Sequence, residues 1–569
     1  MPENISDAEL LGKYFTPENL SLADGSGKLN VNNLDEHSLG KAPTNTTLTN
    51  LTLRGALFLT LYKEPDHKWL WASLVGELIL QPYDLNAPEF LNLQPWRSTK
   101  SFSLTPDYAK KNFPDNAPAT DEFFYLRSGR PFIVMNDNLM EKVQIPDGTD
   151  FNIVQLPNQV TPVSSGVQGQ TPSGSVVGGG SVESYGFASK LDQDSADSSP
   201  VEITISKPYS LIDIVSTSSA FFAETIAKSI KTEISDPKKK AVFLSKVQGL
   251  LQPEQRKALI EKAKKKKAEN NSLFMDIDFE DPTKLIEASL QDSVADELSF
   301  LANIVPTYNY WPIGKVSQNT ETAFTDGGTL ENTGIIGLLA QTDTGGESQE
   351  TINLVVFDNT STPLETKDGK IIVAGQAAPL FGIDFNDDTG SYAAFTASQK
   401  DPKNKDFNPM SLLTVFDNSA SSSGNSPFDD LVKGLYAASC NTAAGDKPDP
   451  SKITTTPAFH QMELTTVHNP LANVTAGRNV KLLYIQNAKM LNWQNAIGDD
   501  SLKSEIVEGQ KESLDPFTDF KGFPYYSTFT KIGLEPKESN ALSQMWAWAV
   551  ADNSSPLKKV LQTFIKDAS

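Results

Sequence analysis

Cysteine is nearly absent from this chain of 569 residues: Cys440 stands alone. A single thiol closes no disulfide within the chain and builds no cysteine zinc site, so packing must hold the fold. Histidine is scarce too. His37, His67, His460 and His468 make four in all, and none stands at the spacing of a helical or finger-type ligand pair. The sequence therefore predicts no metal centre and no cofactor. No apolar run approaches a transmembrane span. Met1-Pro2-Glu3-Asn4-Ile5 is polar and acidic rather than basic and then apolar, which predicts no secretory leader and a cytoplasmic or peripheral-membrane location. Positive charge is in deficit: 49 Lys and Arg face 71 Asp and Glu, a net charge of −22. Phosphate contacts need Lys and Arg, so the balance predicts no nucleic-acid partner.

What is present suffices for a large core, with 38% apolar residues. The segment from Leu51 to Leu80, interrupted at Pro65-Asp66, reads as two packed helices. Arg130-Pro131-Phe132-Ile133-Val134-Met135-Asn136 reads as a short buried strand followed by a turn. Residues 164–200, rich in Ser and Gly, read as a flexible loop, with Gly178-Gly179-Gly180 as linker. Residues 208–230, with Phe221-Phe222, read as one apolar helix. Residues 231–292 read as an inserted helical hairpin broken at Pro253. Its lysines Lys264, Lys265, Lys266 and Lys267 form either a solvated face or a contact for anionic lipid. Asn479 to Ile485 reads as a strand, and 538–566 as a helical end carrying Trp546 and Trp548. Asp384 to Gly390 has some features of a calcium loop, but its glycine is one place late and Phe395 stands where a glutamate is needed.

The segment from Ala323 to Asp358 carries the chemistry. Ala323-Phe324-Thr325 ends a strand, Asp326-Gly327-Gly328 is a turn, and Asn332-Thr333-Gly334 opens a small-residue helix. Asn353-Leu354-Val355-Val356-Phe357-Asp358 is the next strand. Two apolar strands with a helix between them predict a parallel βαβ unit, with Asp326 at the carboxyl end, where ligands bind. A carboxylate that takes a proton directly from a serine needs a short side chain on an open, tight turn, and two glycines permit one.

Phe324 to Leu338, followed by Leu354 to Asp358, resembles patatin-like and group IV cytosolic phospholipases and fungal phospholipase B. Asp326, Gly327, Gly328, Asn332 and Asp358 match that pattern. Gly76-Glu77, the 130–135 segment, Gln159-Val160-Thr161-Pro162 with Tyr185-Gly186-Phe187, and Ser218-Ser219-Ala220-Phe221 resemble further segments in the same order. The resemblance spans residues 5–360. It implies a serine–aspartate lipid acyl hydrolase acting on a phospholipid or lysophospholipid, with Asp326 as its acid–base residue. It also implies an α/β fold, a three-layer α/β/α sheet of patatin type. The implied organisation is an acyl-hydrolase region over 1–400 and, over 401–569, an extension packed on the same domain.

The nucleophile of that family sits in Gly-x-Ser-x-Gly at a strand-to-helix elbow, and this sequence has no such pentapeptide. Gly346-Glu347-Ser348-Gln349-Glu350 lacks the last glycine, and Gly180-Ser181-Val182-Glu183-Ser184 has the wrong spacing. Residues 5–20 resemble the segment soon after the elbow helix. The expectation is a sheet without its first, nucleophile-bearing strands and no ester hydrolysis by this chain alone, whether the serine lies on a separately encoded partner chain, on a stretch of the same gene outside this sequence, or has been lost. The alternative is a non-catalytic lipid- or protein-binding relative.

Overall fold

The computed structural model describes residues 5–62, 66–86, 100–146, 148, 150–171, 176–177, 181–192, 202–205, 208–220, 222–293, 307–310, 312–313, 320–342, 351–386, 388–420, 424–440, 457–511, 518–528 and 531–568. It is a mixed α/β fold with separate cores around a helical lobe, an antiparallel sheet and a smaller mixed sheet.

The helical lobe is built from α1 (Leu48–Leu61), α2 (Leu70–Val75), α3 (Leu211–Thr217), α4 (Phe222–Ser235), α5 (Pro237–Leu250), α6 (Pro253–Ala268) and α7 (Pro282–Ser293). The two helices expected over 51–80 are present. The single helix expected over 208–230 is two, and Phe221 between them lies outside the described residues. Gly55 sets the α1–α4 approach: a Cβ there would stand 3.1 Å from side-chain atoms of Ile226 and Ile230. The Trp71 indole donates to the Ser216 carbonyl at 2.9 Å, tying α2 to α3. The 231–292 helices also form, and the break falls at Pro253 as expected: α5 ends at Leu250 and Pro253 opens α6, since proline suits a first helical turn.

The first sheet contains β1 (Met135–Gln144), β2 (Phe151–Val160), β3 (Ser164–Val167), β4 (Val182–Glu183), β5 (Thr307–Tyr310) and β6 (Thr320–Asp326). Their order is β5-β6-β1-β2-β3-β4, and every pairing is antiparallel. Two expectations are corrected here. The strand expected at 130–136 begins only at Met135 and runs on through Asp137 and Asn138, where a turn is expected. Asn and Asp favour turns locally, but ten paired positions with β2 override that preference. Parts of the expected 164–200 loop are strand, because β3 and β4 continue the sheet. The triple glycine lies outside the described residues.

The second sheet is β7 (Ile352–Asp358), β8 (Ala458–Thr465) and β9 (Asn479–Gln486), with β9 in the centre. β7 runs parallel to β9, and β8 antiparallel to it. One face packs Leu354, Val356 and Leu482 against α8 (Ile335–Thr342) and α9 (Pro427–Ser439). The other packs Leu483 and Ile485 against α10 (Leu491–Ala496), α11 (Asp500–Gly509), α12 (Pro536–Ala551) and α13 (Pro556–Ala568). Helices thus cover both faces of this sheet. The expected βαβ unit does not form: β6 and β7 belong to different sheets, and α8 bridges between them. Strand periodicity reveals which residues alternate, but not which strand supplies the hydrogen-bonding partner.

Of the segment weighed as a calcium loop, Asp384 to Asn386 lie on the first strand of a hairpin between strands 383–386 and 391–394, and Asp387 lies outside the described residues. No helix among the described residues is long and apolar enough to cross a membrane.

Candidate functional site

Asp326 is the last residue of β6 and the cap of a tight turn over Gly327–Thr329. One carboxylate oxygen accepts the Gly328 N–H at 2.8 Å. Both glycines have a steric reason. A Cβ on Gly327 would stand 2.6 Å from the Asn136 carbonyl oxygen, and one on Gly328 would stand 2.7 Å from Asn332 Oδ1 and 3.2 Å from Asp326 Oδ1. Asp326, Gly327, Gly328 and Asn332, singled out from sequence, therefore meet at one place.

The turn is braced from behind. Asn138 Nδ2 donates to the carbonyls of Asp326 at 2.8 Å and Gly327 at 3.2 Å, and Thr329 Oγ1 donates to the Asp326 carbonyl at 2.7 Å. Burial pushes the Asp326 carboxyl above the ordinary range, and the Gly328 hydrogen bond opposes this.

Asp326 opens onto a cleft of about 810 Å³ whose walls include Phe222, Phe385, Phe395 and Met410. Ser218 and Ser219 also line it, but their hydroxyls are engaged elsewhere. Ser218 Oγ donates to the Asn136 carbonyl and Ser219 Oγ to the Val215 carbonyl, both at 2.7 Å. A second cavity of about 290 Å³, lined by Trp71, Ile79, Ile532 and Leu542, shares Ser219, Phe222 and Thr528 with the cleft. Trp71 of α2 thus walls the apolar cavity, and Phe222 of α4 lines both that cavity and the cleft that holds Asp326.

No family model, curated protein or solved structure matches the chain. The chemistry must be read from the residues themselves. Asp326 can accept a proton from a hydroxyl brought into the cleft, whose lining mixes apolar side chains with polar ones such as Thr329 and Asn332.

Other acids gather at the same end of the fold. Glu331 accepts from Thr333 N at 2.6 Å and Ile336 N at 3.3 Å, capping α8, where the helix dipole favours an anion. Asp358, which closes β7, accepts the Tyr484 hydroxyl at 2.7 Å, and burial pushes it up to about 6. It is a buried partner of Tyr484 and does not line the cleft. Sequence reasoning misses Asp137, because Asn-Asp-Asn after an apolar run reads as a turn. The period-two alternation with Leu139, once extended past Asn136, puts it on the core face.

The lysine run is divided around α6, which buries Leu259 and Ala263. Lys266 pairs with Asp292 at 2.7 Å, and Lys267 lies over the Phe279 ring at 5.5 Å. Lys264 pairs with its neighbour Glu261 at 2.8 Å, and Lys264 and Lys265 are exposed. Among the described residues no group of His, Cys, Asp and Glu is arranged to hold a metal ion.

Proposed function

We propose that Asp326 is the acid–base residue of a serine–aspartate lipid acyl hydrolase of patatin type, acting on a phospholipid or lysophospholipid. On this reading the chain is the Asp-bearing, acyl-binding portion of the enzyme. The serine comes from a Gly-x-Ser-x-Gly segment outside this sequence. One observation carries the reading: a carboxyl on a double-glycine turn at a strand end faces a cleft that adjoins an apolar cavity through Phe222. Asp326 takes the serine proton during attack on the ester and returns it to the leaving alcohol. The apolar cavity receives the acyl chain, as ligand sites of mainly apolar lining do. Lys264 and Lys265 give an anionic lipid surface a point of contact.

The test is ester hydrolysis on lysophospholipid by this chain co-expressed with a polypeptide that carries strand–Gly-x-Ser-x-Gly–helix, sought in the DNA upstream and in the neighbouring genes. Turnover is expected only with both polypeptides, and Asp326→Asn should lower it by roughly 10²–10⁴. Undiminished turnover in that variant, or none with both polypeptides present, overturns the proposal. Because the base form is required, activity should fall as pH drops through the raised Asp326 pKa. Vesicle co-sedimentation checks the membrane contact. Lys264→Glu with Lys265→Glu should weaken binding to anionic vesicles by roughly thirtyfold or more, at about 1 kcal/mol per lysine lost.

A further inference from the structure

Asp137 is wholly buried and stands directly opposite Asp326 in the antiparallel register of β1 and β6. Residues so opposed share a sheet face, with Cβ atoms about 4.5–5.5 Å apart. Asn158 Nδ2 donates to Asp137 Oδ1 at 2.6 Å, and the Tyr209 hydroxyl lies 3.5 Å from Oδ2. Among the described residues no Lys, Arg or His pairs with this carboxyl. A lone carboxylate in the interior is costly, and such a group keeps its proton instead.

Asp137 is also flanked by the two residues that hold the Asp326 turn. Asn138 grips the carbonyls of Asp326 and Gly327. The Asn136 carbonyl abuts Gly327 and accepts from Ser218.

We propose that Asp137 is a positioning residue for Asp326: as the neutral acid it leaves the one negative charge of the pair on Asp326, and its ionisation disturbs the Asp326 turn. Two carboxyls this close do not both ionise cheaply. Depth decides which keeps the proton, because Asp326 is only half-buried and holds the Gly328 N–H while Asp137 has no access to water.

The other titratable groups on this face are Tyr209, Tyr308 from β5, and Asp213 from α3. The Tyr308 hydroxyl donates to Asp213 Oδ1 at 3.0 Å, and Ser210 N and Oγ donate to Oδ2 at 2.8 and 2.7 Å. Burial pushes both tyrosines up, so they stay neutral. It also pushes Asp137 up, to about 8, and the charge on Asp326 adds to this.

The inference rests on Asp326 being the base of the cleft, but it is read without turnover. Carboxyl-carbon NMR on the full chain, labelled at aspartate, follows both groups through a pH titration, while the Gly328 amide reports on the turn. Asp137 should titrate well above ordinary carboxylates, and the Gly328 amide should show two steps. Asp326→Asn should lower the Asp137 step by about one pH unit or more. Asp137→Asn should remove the upper step at Gly328 and leave the lower. Titration of Asp137 among ordinary carboxylates, an Asp137 step unmoved by Asp326→Asn, or a Gly328 amide that ignores the upper step overturns the proposal. The wild-type and Asp326→Asn titrations decide it even if Asp137→Asn does not fold. Coupled titrations without lipid turnover would sink the lipase reading and leave the pair standing. Turnover with uncoupled titrations would do the reverse.

Discussion

Asp137 makes stability depend on pH with a sign opposite to that of a salt-bridged aspartate. Its folded carboxyl is raised to about 8 by burial, while an unfolded aspartate titrates near pH 4, as is typical. Below that lower value both states hold the proton and the contribution to stability is fully present. As pH rises toward 8 the unfolded chain has released its proton and the folded chain has not, so stability falls. Urea midpoints should decline between mildly acid and mildly alkaline pH. Asp137→Asn should flatten that slope and stabilise the protein at neutral pH by roughly 1–4 kcal/mol. An unchanged slope in the variant would remove Asp137 as its source. Gly327 is the second test at this scale. An alanine there meets the Asn136 backbone carbonyl, which cannot swing aside as a side chain would. Gly327→Ala should cost roughly 1–3 kcal/mol in a denaturant melt and displace Asp326 from the cleft.

At the level of elements, α6 illustrates how a charge run is partitioned once a helix docks. Lys262 Nζ donates to the carbonyls of Thr60 at 2.8 Å and Tyr62 at 2.7 Å, closing the C-terminal end of α1. A cation there satisfies orphan carbonyls and favours the helix dipole. Lys262→Met should therefore lower stability by about 1 kcal/mol or more, whereas Lys265→Met should stay within about 0.5 kcal/mol, as exposed sites do. Equal thermal shifts for the two would contradict this assignment. The helices of this lobe were legible from apolar spacing and from Pro253, because a helix satisfies its hydrogen bonds within itself. Strands were legible only where apolar. Asp137 and Asn138 escaped because a polar strand residue is recognised by the strand beside it, here β2.

For the whole molecule, the segment from residue 401 is more than an extension. β8 and β9 supply two of the three strands of the second sheet, and β9 lies between β7 and β8. A chain truncated after residue 400 should leave β7 unpaired and the cores on both sides of that sheet open, and should aggregate. Soluble, cooperatively melting protein from that truncation would refute the dependence. Nothing covalent compensates, since buried Cys440 is the one cysteine of the chain.

Composition and spacing alone determined that packing holds this chain together without disulfides, that its helical hairpin turns at Pro253, and that Asp326, Gly327, Gly328 and Asn332 form one local turn. Those features depend on neighbours a few residues away, which a sequence displays. The tertiary structure decided that β6 and β7 lie in separate sheets, that Asp137 faces Asp326, and that Phe222 joins the cleft to an apolar cavity. Each of these depends on contacts between segments distant in the chain, where strand register and burial are settled by packing rather than by local preference.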